Sequence, residues 1–254
     1  MIRPRVIPCL LLKEKGLVKT SQFRNPVYLG DPLNIINIFN KKMVDEMIIL
    51  DIDASKNSNS PNFELLQRIT SICFSPLTYG GAVTNMNDAE KLFSIGFEKI
   101  CVNTIAFKNP SFITTLARKY GNQSVVVSVN LSKDFFGKRI IVNNSLKKID
   151  LKHSITEQLV IFKDLGAGEI LINDVTSDGM MKGYDIDLIN CITSKLDIPV
   201  IACGGCGSYD HIKEVLINGG ASAAAVGSFF VFNGARKAVL ISYPSQALIK
   251  NILK

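Results

Sequence analysis

Glu46-Met-Ile-Ile-Leu-Asp51-Ile52 returns 123 residues later as Glu169-Ile-Leu-Ile-Asn-Asp174-Val175. Each is a short apolar run opened by a glutamate and closed by an aspartate, as in a strand buried on both faces. Gly80-Gly81 with Gly96 matches Gly204-Gly205 with Gly220 at an offset of 124 residues, and Val102-Asn103-Thr104-Ile105 matches Val226-Gly227-Ser228-Phe229 at that same offset. Repetition at half the chain length points to two similar halves. A general likeness among strand–helix units is the plainer alternative. Paired glycines and paired acids at almost one offset speak against it.

Outward from these runs the chain alternates regularly. The apolar pattern predicts strands over Val6–Leu11, Glu46–Ile52, Leu77–Tyr79, Lys99–Val102, Ser124–Asn130, Glu169–Asn173, Val200–Cys203 and Ala221–Val226. Helical periodicity falls near Asp31–Lys42, Asn62–Ile72, Asn87–Ile95, Ser111–Tyr120, Ser154–Leu165, Ile186–Ser194 and Tyr209–Asn218. Eight strands with helices between them predict an α/β fold, a (β/α)8 TIM barrel built from two similar half-barrels. A doubly wound sheet would need fewer strands and usually Gly-x-Gly-x-x-Gly after the first, which is absent. No linker or low-complexity segment interrupts the series, so residues 1–254 read as one barrel domain. The stretch Lys133–Leu151 is long for a loop and carries its own alternating run, Lys138–Asn143. It reads as a loop or small hairpin at the rim after the fifth strand, either a flap over a substrate or a decoration.

Composition narrows the class. Of 254 residues 47% are hydrophobic and 20% charged, which suits a globular enzyme and argues against disorder. The net charge of +7 mildly favours anionic ligands, but no Lys/Arg run reads as a nucleic-acid arm. Met1–Leu12 superficially resembles a signal peptide. Its apolar run is short, broken by Pro8 and followed at once by Lys13, Glu14 and Lys15, so it reads as a buried first strand. No stretch approaches the ~20 apolar residues needed to span a bilayer. Cys9, Cys73, Cys101, Cys191, Cys203 and Cys206 mostly sit in apolar segments, as reduced thiols do in the cytoplasm.

The chemistry of such a barrel gathers at the C-terminal ends of its strands. Gly80-Gly81 and Gly204-Gly205 end the third and seventh strands there. Asn103-Thr104 and Gly227-Ser228 end the fourth and eighth, just before short helical starts. Glycine admits close backbone approach and backbone N–H groups bind phosphate, so one cluster per half fits an elongated substrate with a phosphate at each end. Simple turn glycines are the alternative. Cys203-Gly-Gly-Cys206 is a lone CxxC, a weak metal or redox motif. Asp53 and Asp174 are rim carboxylates without an assigned part, and His153 and His211 read as surface residues. No metal and no cofactor is expected.

The residues also carry a resemblance. Cys9-Leu10 with Val18-Lys19, Gly30-Asp31-Pro32, Asp45-Glu46, Leu50-Asp51-Ile52 and Asn103-Thr104 are similar to the cyclase subunit family of imidazole glycerol phosphate synthase. So are Gly166-Ala167-Gly168-Glu169-Ile170-Leu171, Asp178-Gly179 with Gly183-Tyr184-Asp185, and Gly204-Gly205. The resemblance runs over nearly the whole chain. It implies a lyase-type cyclase that takes ammonia from a glutaminase docked at the bottom of the barrel. The ammonia passes through the core to a bisphosphorylated substrate at the top.

Carried over position by position, the resemblance assigns phosphate binding to Gly81, Asn103, Thr104, Asp178, Gly179, Gly205 and Ser228, with Gly227 beside them. Ala82 stands where the family usually has a third glycine. Lys19 and Asp51 are kept from the family and could orient an anionic ligand. The family's two catalytic aspartates, however, fall on Leu11 and Asn130. Leucine moves no proton and a carboxamide does not titrate usefully, so acid–base catalysis by this pair is lost. Asn173 and Cys203 replace the usual hydroxyl residues at the ends of the sixth and seventh strands. The family's ammonia gate maps onto Arg5, Glu46, Lys99 and Glu169, all present with alternating sign, and Glu98 beside them could contact a partner.

The combination predicts a divergent paralogue that binds a glutaminase at its N-terminal face and channels ammonia to an amidotransfer reaction. Amidination of a bacterial surface sugar is one such reaction, with acceptor chemistry in a third protein, an amidotransferase or synthetase. A phosphorylated small molecule at the top, no nucleic acid and no membrane complete the expectation. A working cyclase of histidine biosynthesis using Asp51, Asp174 or Asp178 stays open, as does a non-catalytic scaffold that activates the glutaminase.

Overall fold

A computed structural model describes residues 4–54 and 60–252; Met1–Arg3 of the first predicted segment lie outside the described residues. The chain runs β1 (Arg5–Lys13), β2 (Gly16–Ser21), β3 (Arg24–Gly30), α1 (Pro32–Lys41), β4 (Met47–Asp51), α2 (Phe63–Ile72), β5 (Leu77–Gly80), α3 (Met86–Ser94), β6 (Lys99–Val102), α4 (Thr104–Lys108), α5 (Ser111–Tyr120) and β7 (Val125–Lys133). It continues through β8 (Arg139–Val142), α6 (Ile155–Asp164), β9 (Glu169–Asp174), α7 (Ile186–Thr193), β10 (Val200–Cys203), α8 (Tyr209–Ile217), β11 (Ala223–Val226), α9 (Ser228–Val231), β12 (Phe232–Asn233), β13 (Ala238–Val239) and α10 (Gln246–Ile252).

Closure follows from the first strand. β1 pairs in parallel with β4 on one side and with β11 on the other. The parallel series β1-β4-β5-β6-β7-β9-β10-β11 therefore returns to its start, a (β/α)8 barrel. Helix starts are set locally. Asp31, Asn62, Asn85, Ser154, Asp185 and Ser208 each accept a backbone N–H of the first turn. Ser154 and Glu157 complete a capping box.

Alternation along the strands divides the core into two layers. Ile7, Cys9, Ile48, Cys101, Val126, Leu171, Ile201, Cys203, Ala223 and Ala225 pack inside the barrel. Val6, Leu10, Met47, Ile49, Ile100 and Val125 face the helices. Asn103 and Gly227 precede α4 and α9 with like backbone angles, φ −126° and ψ −86° against φ −103° and ψ −90°.

Two strands overrun the barrel at its C-terminal rim. β1 continues into the antiparallel β2–β3 hairpin, and β7 into an antiparallel pairing with β8. The run Lys138–Asn143 thus forms a hairpin arm. β2–β3 has no counterpart in the sequence pattern, because its turn residues are Gln22 and Phe23 at φ +50° and +62°. Turns of that kind usually use glycine or asparagine.

Ala82 has φ +51°, a left-handed conformation that disfavours a Cβ. Ala82→Gly is therefore expected to stabilise the fold by up to about 1 kcal/mol, the relieved strain exceeding glycine's entropic cost in the unfolded chain. Urea denaturation checks this through a higher midpoint at unchanged slope.

Candidate functional site

The starts of four barrel strands place charges at the barrel floor. Arg5, Lys99 and Glu169 open β1, β6 and β9, and Glu46 directly precedes β4. Arg5 Nη1 donates to Glu46 Oε2 at 2.6 Å and Arg5 Nη2 to Glu169 Oε1 at 2.9 Å. Lys99 Nζ closes the ring, 3.0 Å from Glu46 Oε1 and 3.3 Å from Glu169 Oε1. Thr78 Oγ1 adds a 3.1 Å bond to Glu46. Burial works against the Arg5 guanidinium, but Glu169 and Glu46 outweigh it and hold its pKa above the ordinary value. Glu98, expected beside this ring, accepts the backbone N–H of Leu77 at 2.6 Å.

Above the floor lies the apolar inner layer. Burial pushes the Cys101 thiol up to about 12, and the hydrogen bond of the Cys203 thiol with Cys9, together with burial, raises Cys203. Cys206, the other half of the CxxC, is also buried and pushed up to about 12.

The rim opens into a cavity of about 430 Å³. Leu11, Asp51, Gly81, Asn103, Thr104, Asn130 and Asn173 all line it. A second space of about 30 Å³ adjoins it, lined by Lys19, Asp178, Gly179, Gly205, Gly227 and Ser228. The two sets of predicted phosphate residues thus separate by half, one at each cavity. Lys19 and Asp51 separate likewise.

In the smaller space Lys19 Nζ is 2.6 Å from Asp178 Oδ1, both side chains buried. Thr20 Oγ1 donates to Asp178 Oδ2 at 3.3 Å, and the Gln22 N–H to the Asp178 carbonyl at 2.9 Å. The glycines there also have packing reasons. A Cβ on Gly205 would come within 1.9 Å of the Gly183 carbonyl oxygen, and one on Gly179 within 2.7 Å of that of Thr20.

In the larger cavity Asn130 Nδ2 donates to Asn144 Oδ1 at 2.9 Å, and Asn103 Nδ2 to the Ser128 carbonyl at 2.7 Å. Asp51 accepts the N–H groups of Ala54 and Asp53 at 2.9 and 3.1 Å. Burial nevertheless lifts the Asp51 carboxyl above the ordinary range. Asp174 is engaged by Arg139 at 3.1 Å and by Ser177 Oγ at 2.8 Å. Arg139 also pairs with Asp185. His211 Nδ1 accepts the Gly207 N–H at 3.1 Å, and His153 is exposed. Sequence reasoning missed Phe23, Asn144 and Arg139. Arg139 lies inside the Lys138–Asn143 run and Asn144 one residue past it, whereas Phe23 had no signal.

The model of the histidine biosynthesis protein family matches residues 5–236. The chain belongs to that family. Within it the relatives are of the HisF type. It is 47% identical over 244 residues to a Pseudomonas aeruginosa protein named "Putative imidazole glycerol phosphate synthase subunit hisF2", covering 96% of this chain and 97% of the relative. A Vibrio vulnificus relative carrying the same name with hisF3 is 41% identical, covering 100% and 98%. The imidazole glycerol phosphate synthase subunit HisF of Chlorobium phaeovibrioides is 36% identical, covering 91% of this chain and 92% of the relative. Among the described residues no helix is long and apolar enough to cross a membrane.

The raised Asp51 carboxyl has a pH consequence in this HisF-type barrel. A folded-state pKa above the unfolded value contributes stability at low pH that is lost as pH rises through the folded pKa. Asp51→Asn keeps an acceptor for both N–H groups and removes the buried charge. Thermal unfolding is expected to show a higher Tm than wild type near neutral pH, with the gap closing as pH falls below the carboxylate range.

Proposed function

We propose that this chain is the ammonia-conducting subunit of a glutamine-dependent amidotransferase, with chemistry other than imidazole ring formation. The carrying observation is the closed Arg5–Glu46–Lys99–Glu169 ring beneath a rim whose catalytic-acid positions hold Leu11 and Asn130. A glutaminase docks at the N-terminal face, and the ring opens to admit ammonia. Neutral ammonia crosses the apolar inner layer, whereas ammonium is held back by the cost of desolvating its charge. At the rim the nitrogen passes to an amidination of a bacterial surface sugar. The acceptor chemistry belongs to a third protein, an amidotransferase or synthetase. Phe135 and Phe136, 96% and 90% exposed at the tip of the β7–β8 hairpin, give that protein an apolar hold. The rim takes a phosphorylated molecule through Gly81, Asn103 and Thr104 in the larger cavity. Asp178, Gly179, Gly205, Gly227 and Ser228 line the smaller one, where Lys19 is already paired. The free state of all six cysteines fits action in the cytoplasm.

A working cyclase is the second reading. Of Asp51, Asp174 and Asp178, only Asp51 lines the larger cavity, and its raised pKa suits a general acid. Rescue of a histidine auxotroph by this chain would favour that reading.

Arg5→Trp tests the conduit. In the complex with glutaminase and acceptor enzyme, glutamine-dependent amidation is expected to fall at least about tenfold while amidation from ammonium salt persists, as for lost channelling of a reactant. Unchanged glutamine-dependent product formation would instead identify a scaffold that only activates the glutaminase.

A further inference from the structure

The tip of the β7–β8 hairpin is held in one shape. Asp134 Oδ1 accepts the backbone N–H groups of Phe136 and Lys138 at 3.0 and 2.9 Å. The Asp134 N–H donates to the Lys138 carbonyl at 2.9 Å, and the Gly137 N–H to the Asp134 carbonyl at 3.0 Å. Residues 134–138 are thus tied to one another, and the acid of the tip is engaged inside its own turn. On this turn Phe135 and Phe136 meet edge to face, their ring centroids 5.5 Å apart, and both lie in solvent. Lys133 and Lys138 flank the rings. Both are exposed, and among the described residues neither is ion-paired. Two ordered rings between two free cations contribute nothing to the barrel core; such a patch marks an interaction surface.

The chemistry of the tip selects the kind of partner. Membrane–water interfaces favour Trp and Tyr, whose polar ends reach the headgroups, and the tip has neither. Phenylalanine rings suit the desolvated centre of a protein interface, where an anchor already ordered loses little entropy on binding. The base of the hairpin fixes where that protein lies. Asn130 of β7 and Asn144 beyond β8 both line the larger cavity. Lys133 stands three residues past Asn130 on the same strand, a reach of ~10 Å at about 3.4 Å per residue. Whatever grips the tip therefore stands at the mouth of the cavity. We propose that the tip docks in an apolar slot bordered by aspartate and glutamate on the acceptor enzyme, and so holds that enzyme's nitrogen-accepting site over the larger cavity. Phe135 and Phe136 fill the slot, and Lys133 and Lys138 meet its acids. The assignment rests on the reading of the rim as the delivery end of an amidotransfer, and adds to it the chemistry of the partner's surface.

The probe is a photo-reactive p-benzoylphenylalanine placed at position 135 of the full chain, irradiated in the cells that make it. The expected product is a cross-link to an enzyme that takes up nitrogen from ammonium salt, mapped by mass spectrometry to a segment rich in Asp and Glu. The same label at Phe74, exposed ahead of β5 at the opposite end of the barrel, should not reach that enzyme. Lys133→Glu combined with Lys138→Glu is expected to cut the cross-link at least about tenfold, because like charges then face each other across the interface. Phe136→Ser should weaken it as well. Both variants should unfold at the wild-type Tm, since the tip packs against nothing in the barrel. A cross-link only to lipid, to the glutaminase or to a second copy of this chain would overturn the proposal. So would charge reversal without effect, or an acceptor that cross-links through another part of the rim. Arg5→Trp reads the conduit separately. If it abolishes glutamine-dependent amidation while the tip captures no acceptor, the docking assignment fails and the conduit stands. If the tip captures the acceptor and Arg5→Trp changes nothing, the docking stands and the conduit fails.

Discussion

Four charges facing one another across a barrel floor cannot be left unpaired. Removing one partner from such a buried set costs on the order of 3–5 kcal/mol, because the remaining charge stays out of water. The four therefore act as a unit, and the unit fixes where β1, β4, β6 and β9 begin relative to one another. Each carboxylate in the ring is shared between Arg5 and Lys99. With the floor set, alternation along the strands brings small and apolar side chains into the interior, and the strand ends into the rim.

The rim is organised by a second pair of charges. Asp174 ends β9, and Asp178 lies in the turn that follows. Asp174 holds Arg139 of the β7–β8 hairpin, and Asp178 holds Lys19 of β2. One short segment thus anchors two hairpins that rise from β1 and β7. This arrangement pairs Lys19 with Asp178 inside the smaller space, and the room left there is about 30 Å³. The larger cavity is lined mainly by uncharged polar and apolar residues, among them Asn103, Asn130, Asn144 and Asn173. Floor and rim therefore differ in character: the floor is closed by ion pairs, while the rim presents amides and leucine.

Most of the barrel was legible in the sequence because each buried strand is a short apolar run bounded by glycine or charge. Residue pairs such as Glu46 with Glu169 and Gly81 with Gly205 recur at a nearly constant offset along the chain. The ring was legible only through the family resemblance, since charges at strand starts look like ordinary solvated groups. The β2–β3 hairpin was not legible, because Gln22 and Phe23 take left-handed conformations that tertiary bonds to Asp178 enforce. The pairing of Lys19 with Asp178 spans 159 residues, a separation that no local pattern encodes.

The central claim is that a HisF-type barrel has kept its ammonia floor and given up its acid–base rim. Turnover of the family's bisphosphorylated substrate with ammonium salt, using the purified chain, tests that claim most directly. Loss of two proton-transfer groups predicts a rate at least about 10⁴-fold below a family cyclase measured beside it. Turnover at the family's rate would contradict the account, and would mean that another carboxyl has taken over the chemistry of the missing aspartates.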